Sequence, residues 1–126
     1  MVTKKYGDVD KVFKTSDNFL ELEFYVGRHS GVPLETRGLS TYFDNESDTI
    51  FLHGAAKVPH ANKVILCDML DINPKNLELI ESHVGGGFGV RGEIYPEDVI
   101  IILATQKLKV PIKWLEDRKE NLTATN

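Results

Sequence analysis

Apolar positions change period several times along this chain, and each change marks an element. In residues 8–16, Val9, Val12 and Phe13 share one helical face behind Asp8, a residue type that caps a first turn. Over residues 18–26 the period falls to two: Leu20, Leu22, Phe24 and Val26 alternate with Glu21 and Glu23, which predicts a half-buried strand. Residues 39–43 and 49–55 flank Asp44-Asn45-Glu46-Ser47-Asp48 and read as a hairpin with a polar tip. Pro59 then stands near a helix start, with Val64, Ile65, Met69 and Leu70 at helical spacing, and Asn73-Pro74 stops that helix because the residue before proline is driven out of the α region. Residues 77–84 form another apolar run of strand character. Pro96-Glu97-Asp98 opens a helix whose acidic first turn suits the macrodipole, and Ile100, Ile101, Ile102 and Leu103 make it apolar nearly all round, predicting burial. Residues 110–115 read as a last strand, and the tail from Arg118 as a frayed helix or a cut end.

Strands, helix, strand, helix, strand in that order predict an α+β fold, a mixed β-sheet with two main helices packed on it. At 126 residues and 41% apolar content, residues 1–126 are expected to form one domain with one core. The closing residues offer no compact terminator, so the stretch reads as a piece of a longer catalytic unit.

Charge and cysteine usage narrow the chemistry. Fifteen Lys and Arg against 19 Asp and Glu give a net charge of −4 with no basic stripe, which argues against nucleic acid as a partner. The basic start, Lys4-Lys5, leads into Gly7-Asp8-Val9-Asp10 rather than an apolar stretch, and no run approaches spanning length; a cytoplasmic protein without a membrane segment is expected. Cys67 is the only cysteine, which excludes a disulfide framework or an iron–sulfur ligand set and predicts a buried, inert thiol. His29, His53, His60 and His83 show no metal-ligand spacing, so no metal site built from these side chains is expected.

The distinctive stretch is Gly85-Gly86-Gly87-Phe88-Gly89-Val90-Arg91-Gly92, between a strand-like run and a helix-like run. Four glycines in five residues expose backbone N–H donors and admit a ligand close to the main chain. Arg91 is expected to add a fixed positive charge, and Phe88 either to plug the core or to face the bound molecule. The irregular connection in residues 27–38, with charges and no periodicity, is a second place to look for function. Residues 87–92 also satisfy G-x-G-x-x-G, and Glu116 and Asp117 follow the next strand at a spacing suited to a ribose-binding acid. A dinucleotide-binding, Rossmann-like NAD module is therefore an alternative, although Glu93-Ile94-Tyr95-Pro96 put the helix start well beyond the third glycine.

Several separate segments together resemble one family. Val84-Gly85-Gly86-Gly87-Phe88-Gly89 with Arg91 is similar to the cofactor loop of molybdenum hydroxylase large subunits, the family of xanthine dehydrogenase, aldehyde oxidase and carbon monoxide dehydrogenase. Gly7-Asp8-Val9-Asp10, Arg28, Pro33-Leu34-Glu35-Thr36-Arg37-Gly38 and Pro59-His60 fall in the family's order. Tyr95-Pro96, Val110-Pro111-Ile112-Lys113-Trp114 and residues 116–122 are most similar to the carbon monoxide dehydrogenase branch.

The resemblance implies the first part of a molybdopterin-binding region within a much longer subunit. It also implies oxidative hydroxylation with oxygen from water, the electrons leaving through iron–sulfur and flavin subunits. Gly86, Gly87 and Gly89 are implied to approach the molybdenum cofactor, and Phe88 to line both cofactor and substrate pocket. Lys57 occupies the place where the family usually carries a hydrogen-bonding glutamine, so a charged donor replaces a neutral one. Gly92 stands where purine-oxidising members carry a glutamate, and Ser30, beside His29, where the family carries a histidine. The family's catalytic glutamate lies near the far end of the full subunit and is not in residues 1–126, so the resemblance implies a piece inactive alone that works with the remainder of the large subunit. A non-catalytic remnant serving as a structural subunit is the other alternative.

Overall fold

The computed structural model describes residues 2–27, 29–54, 57–81 and 83–125. Arg28 of the resemblance, Ala55 at the end of the expected hairpin strand and Ser82 of the run 77–84 lie outside them.

Helix α1 (Val9–Thr15) forms where the spacing predicts, with the Asp8 carboxylate accepting from the Lys11 N–H at 3.1 Å. The hairpin is also as predicted: β1 (Gly38–Asp44) and β2 (Thr49–Gly54) pair antiparallel, and Asp48 takes a left-handed conformation in the polar tip. Helix α2 (Pro59–Leu70) starts on its proline, then Asp71 turns left-handed and Asn73 caps the short turn before β3 (Leu77–Ile80). Helix α3 (Pro96–Leu108) is followed by β4 (Ile112–Leu115) and α4 (Arg118–Ala124), whose first turn is closed reciprocally by Asp117 and Glu120.

The sheet order is β3-β2-β1-β4. β2 runs parallel to β3, with α2 as the crossover, while β1 is antiparallel to both its neighbours, so the sheet is mixed and the α+β reading holds. Register places the rows Phe43/Ile50/Leu77 and Ile112/Thr41/Leu52/Leu79 on one face. The helices α2 and α3 cover that face, and Ile50, Leu52, Leu66, Cys67, Ile72, Leu77, Ile101 and Ile102 form the core. Cys67 is buried there as a free thiol, and the Thr41 and Thr105 hydroxyls hydrogen-bond each other inside the same layer.

Four expectations are corrected. Residues 18–26 form no strand: they run irregularly, with Leu20, Phe24 and Val26 all at least 80% exposed, because no other described strand lies beside them to complete a hydrogen-bonded ladder. The strand expected over 77–84 stops at Ile80, where pairing with β2 ends. The strand expected over 110–115 begins only at Ile112, after Lys109 turns left-handed to close α3. Helix α3 is apolar all round in sequence but only one side is packed: Ile101 and Ile102 are buried, whereas Ile100 and Leu103 face outward.

Candidate functional site

The glycine loop follows β3, and it is held from below by the irregular segment 33–38 rather than by a helix. The Gly85 N–H donates to the Glu35 carboxylate at 2.7 Å, and the Glu35 N–H donates back to the Gly85 carbonyl at 3.2 Å. Arg91 is buried and donates to the carbonyls of Gly86 (2.8 Å), Glu35 (2.6 Å) and Thr36 (3.0 Å), with the Glu35 carboxylate at 3.1 Å. This overturns the expectation of Arg91 as a charge offered to a ligand. Its planar fork is spent fastening the two loops together.

Segment 33–38 is fixed in turn by a buried ion pair. Arg37 donates from Nε and Nη2 to Glu116 Oε1 at 2.9 and 2.6 Å, and its guanidinium stacks 3.7 Å above the Tyr95 ring. The other oxygen of Glu116 accepts from the Arg37 N–H (3.0 Å) and Asn121 Nδ2 (2.8 Å), so every acceptor of this carboxylate is used. Burial by itself pushes the Glu116 pKa up, but the hydrogen bonds from the Arg37 side chain and backbone and from Asn121 outweigh it and hold the carboxyl below its usual range. Arg118 completes the frame by donating to the Pro33 and Leu34 carbonyls, both at 2.7 Å.

On this frame the tip of the loop stands open. Gly86 and Gly89 have φ of 105° and 95°, and Phe88, between them in the chain, has φ of 46°, a conformation that costs energy for a bulky residue and concentrates at functional sites. Phe88 is 74% exposed, so it does not plug the core. Among the described residues the N–H groups of Gly86, Gly87, Phe88 and Gly89 donate to nothing, while the next turn closes with Val90 N–H to Gly87 O at 2.9 Å. Lys57 is brought to the same place from the start of α2. Its N–H donates to the Arg91 carbonyl at 2.9 Å, and its stem lies 3.7 Å from where a Cβ on Gly87 would sit.

The five residues singled out in the sequence, Lys57, Gly86, Gly87, Phe88 and Gly89, are thus assembled on one open surface. Glu35, which anchors the loop, was missed; its signal was the unexplained charge in the aperiodic segment before β1. The donor set suits a polar or anionic group resting on backbone N–H groups beside a cation. The two most enclosed clefts, of about 40 and 20 Å³, have room for a few waters and not for a cofactor, and the wider, more open depressions of about 250 and 530 Å³ are lined by residues other than the glycine tip. Among the described residues no group of three or more His, Cys, Asp or Glu stands together to hold a metal, and no helix is long and apolar enough to cross a membrane.

The dinucleotide reading loses its parts here. α3 begins at Pro96, beyond the loop and a short turn, so its N-terminus does not meet the glycines. Glu116 is buried and consumed by Arg37, and one oxygen of the exposed Asp117 carboxylate is engaged in capping α4 through the Glu120 N–H at 2.8 Å.

Residues 1–126 match the molybdopterin cofactor-binding domain. The chain is 38% identical over 125 residues to the 6-hydroxypseudooxynicotine dehydrogenase complex subunit gamma of Paenarthrobacter nicotinovorans, covering 99% of this chain and 16% of that one. It is 31% identical over 116 residues to the carbon monoxide dehydrogenase large chain of Hydrogenophaga pseudoflava, covering 92% and 14%. Quinoline 2-oxidoreductase from Pseudomonas putida 86 superimposes with a TM-score of 0.76 at 29% identity, over 90% of this chain and 14% of that one. The chain therefore belongs to the molybdopterin cofactor-binding domain family of molybdenum hydroxylase large subunits, and spans about one sixth of the length of such relatives. The cofactor of the domain is molybdopterin with its molybdenum.

Proposed function

We propose that residues 1–126 form one wall of the molybdenum cofactor site in a hydroxylase of the aldehyde, xanthine or carbon monoxide type, and that this wall is inactive alone. The observation that carries the proposal is the row of unpartnered N–H groups from Gly86 to Gly89, with Phe88 exposed among them and Lys57 alongside. Gly86, Gly87, Phe88 and Gly89 would receive the cofactor's polar edge, Phe88 would also border the substrate pocket, and Lys57 would add a positive charge. When bound, the molybdenum group supplies the oxidative hydroxylation and takes up the substrate's electrons. This chain's own share is to bind and orient it. An open surface buries too little of a cofactor to retain it, so the rest of the large subunit, with iron–sulfur and flavin subunits to carry electrons away, completes the assembly.

Gly87 supplies the test. Its φ is not in the left-handed region, and a Cβ there meets nothing of this chain closer than the Lys57 stem at 3.7 Å, so Gly87→Ala leaves the fold intact. Molybdenum is measured by elemental mass spectrometry in the tagged chain purified with its partners from native cells. Near-stoichiometric molybdenum in the unaltered protein, falling roughly tenfold in Gly87→Ala (about 1.4 kcal/mol of lost binding), is the expected result. An unaltered assembly free of molybdenum overturns the proposal and leaves the structural remnant.

A further inference from the structure

The segment 18–26 is written as a strand yet left without one beside it. Leu20, Leu22, Phe24 and Val26 alternate with Glu21 and Glu23, and all four apolar side chains are more than half exposed. The preceding helix is in the same condition: no residue of α1 is buried, and Val9, Val12 and Phe13 stand at least 60% exposed on one face. The Phe13 and Phe19 rings touch, at 5.4 Å between centroids, which ties the helix to the start of the segment on the row that Phe19 and Tyr25 share with Glu21 and Glu23. A strand of nine residues is about 30 Å long and carries a full row of backbone donors and acceptors, so what satisfies it is a sheet edge with an apolar side. The chain's own sheet ends at β3 and β4, and residues 18–26 pair with neither edge.

Residues 1–126 match 16% of the length of the 6-hydroxypseudooxynicotine dehydrogenase subunit, so about five sixths of that relative has no counterpart in them. We propose that residues 18–26 are a docking strand that adds to a β-sheet in that remaining large-subunit sequence, with Leu20, Leu22, Phe24 and Val26 turned into its core and Glu21 and Glu23 turned to water. The inference rests on the proposal that the chain works within a larger molybdenum hydroxylase. It assigns the apolar arm, rather than the glycine loop, to holding the parts together.

A benzophenone side chain placed at position 22 or at position 23, in the tagged chain within native cells, tests it. Irradiation is followed by mass-spectrometric identification of the joined peptides, with hydrogen exchange and molybdenum content measured on the same purified assembly. Position 22 is expected to join to large-subunit peptides from outside residues 1–126 while position 23 does not, and the amides of 18–26 are to exchange slowly. Joining to peptides within residues 1–126, equal joining from both positions, or fast exchange throughout 18–26 overturns the docking strand. The two proposals fail separately: a loaded assembly with a fast-exchanging arm refutes only the strand, and a pinned arm in a molybdenum-free assembly refutes only the cofactor role. Leu22→Glu with Phe24→Glu is expected to cut recovery of the remaining large-subunit sequence by about tenfold or more, with Glu21→Gln plus Glu23→Gln leaving it unchanged. Where that sequence is joined covalently, the loss is read as fast exchange of the arm.

Discussion

Residues 38–44 and residues 18–26 carry the same alternating pattern and end in opposite conditions. In β1, Leu39, Thr41 and Phe43 point to the core because β2 and β4 flank the strand on both sides and α3 lies over it. In 18–26 the same period meets no edge, and Leu20, Phe24 and Val26 remain in water. Alternation says which side of a strand is apolar; it says nothing of where the neighbouring strand is. For β1 that neighbour follows across a short turn, which is why the hairpin was legible in sequence.

The contrast is broken most severely at Arg37. Arg37→Ala leaves the Glu116 carboxylate buried without its cation, and the whole sheet-and-helix body is expected to lose about 3–5 kcal/mol. Denaturant unfolding followed by circular dichroism checks this as a lowered midpoint at constant slope. The arm, which has no link to that pair among the described contacts, makes no difference to the result.

Acid sharpens the same division. Glu116 is held below its usual range in the folded state, so its contribution is present above the unfolded carboxyl value and is lost as pH falls through the lower, folded one. Asp98, raised mainly by its burial, acts in the opposite sense, favouring the fold in its protonated form. A pH series of unfolding midpoints should therefore fall less toward acid in Glu116→Gln than in the unaltered chain.

Apolar truncations come next. Ile102 is fully buried, and Ile102→Val is expected to cost about 0.5–1.5 kcal/mol. Phe13→Ala removes a far larger side chain from the exposed arm and is expected to change the midpoint by less than about 0.5 kcal/mol. Equal losses at the two positions would mean that the arm packs on the body after all.

Much of the body was written locally. Pro59 and Pro96 open helices, the Asp44–Asp48 stretch turns the hairpin, and both signals act within a few residues. The frame of the site was not legible in that way. Arg91 sits in a glycine loop and reads as an anion binder, yet besides the nearby Gly86 carbonyl its acceptors, Glu35 and Thr36, lie some 55 residues earlier. Arg37 and Glu116 are 79 residues apart, and nothing near either announces the other. Long-range polar pairing has no period, so only the assembled fold reveals that the loop's basic residue is a brace and that its exposed donors are backbone.

The finest comparison uses one chemistry twice. Asp8 caps α1 by accepting from the Lys11 N–H, and Asp117 caps α4 by accepting from the Glu120 N–H. Replacing either aspartate by alanine removes a similar bond, about 1 kcal/mol of local helix stability. In α4 the helix carries Asn121, whose amide holds Glu116, so the loss at Asp117→Ala enters the global unfolding midpoint. In α1 no residue is buried, and among the described residues this seven-residue helix touches the Phe19 ring of the arm but packs on no element of the sheet-and-helix body. Asp8→Ala should therefore lower α1 helicity, seen as backbone chemical-shift changes confined to residues 8–16, with the midpoint unmoved. In the complete assembly the two variants should converge, because a docked α1 passes its local loss on to the structure that holds it. Convergence there, against divergence in the isolated chain, would show that the arm's missing partner is supplied from outside these residues.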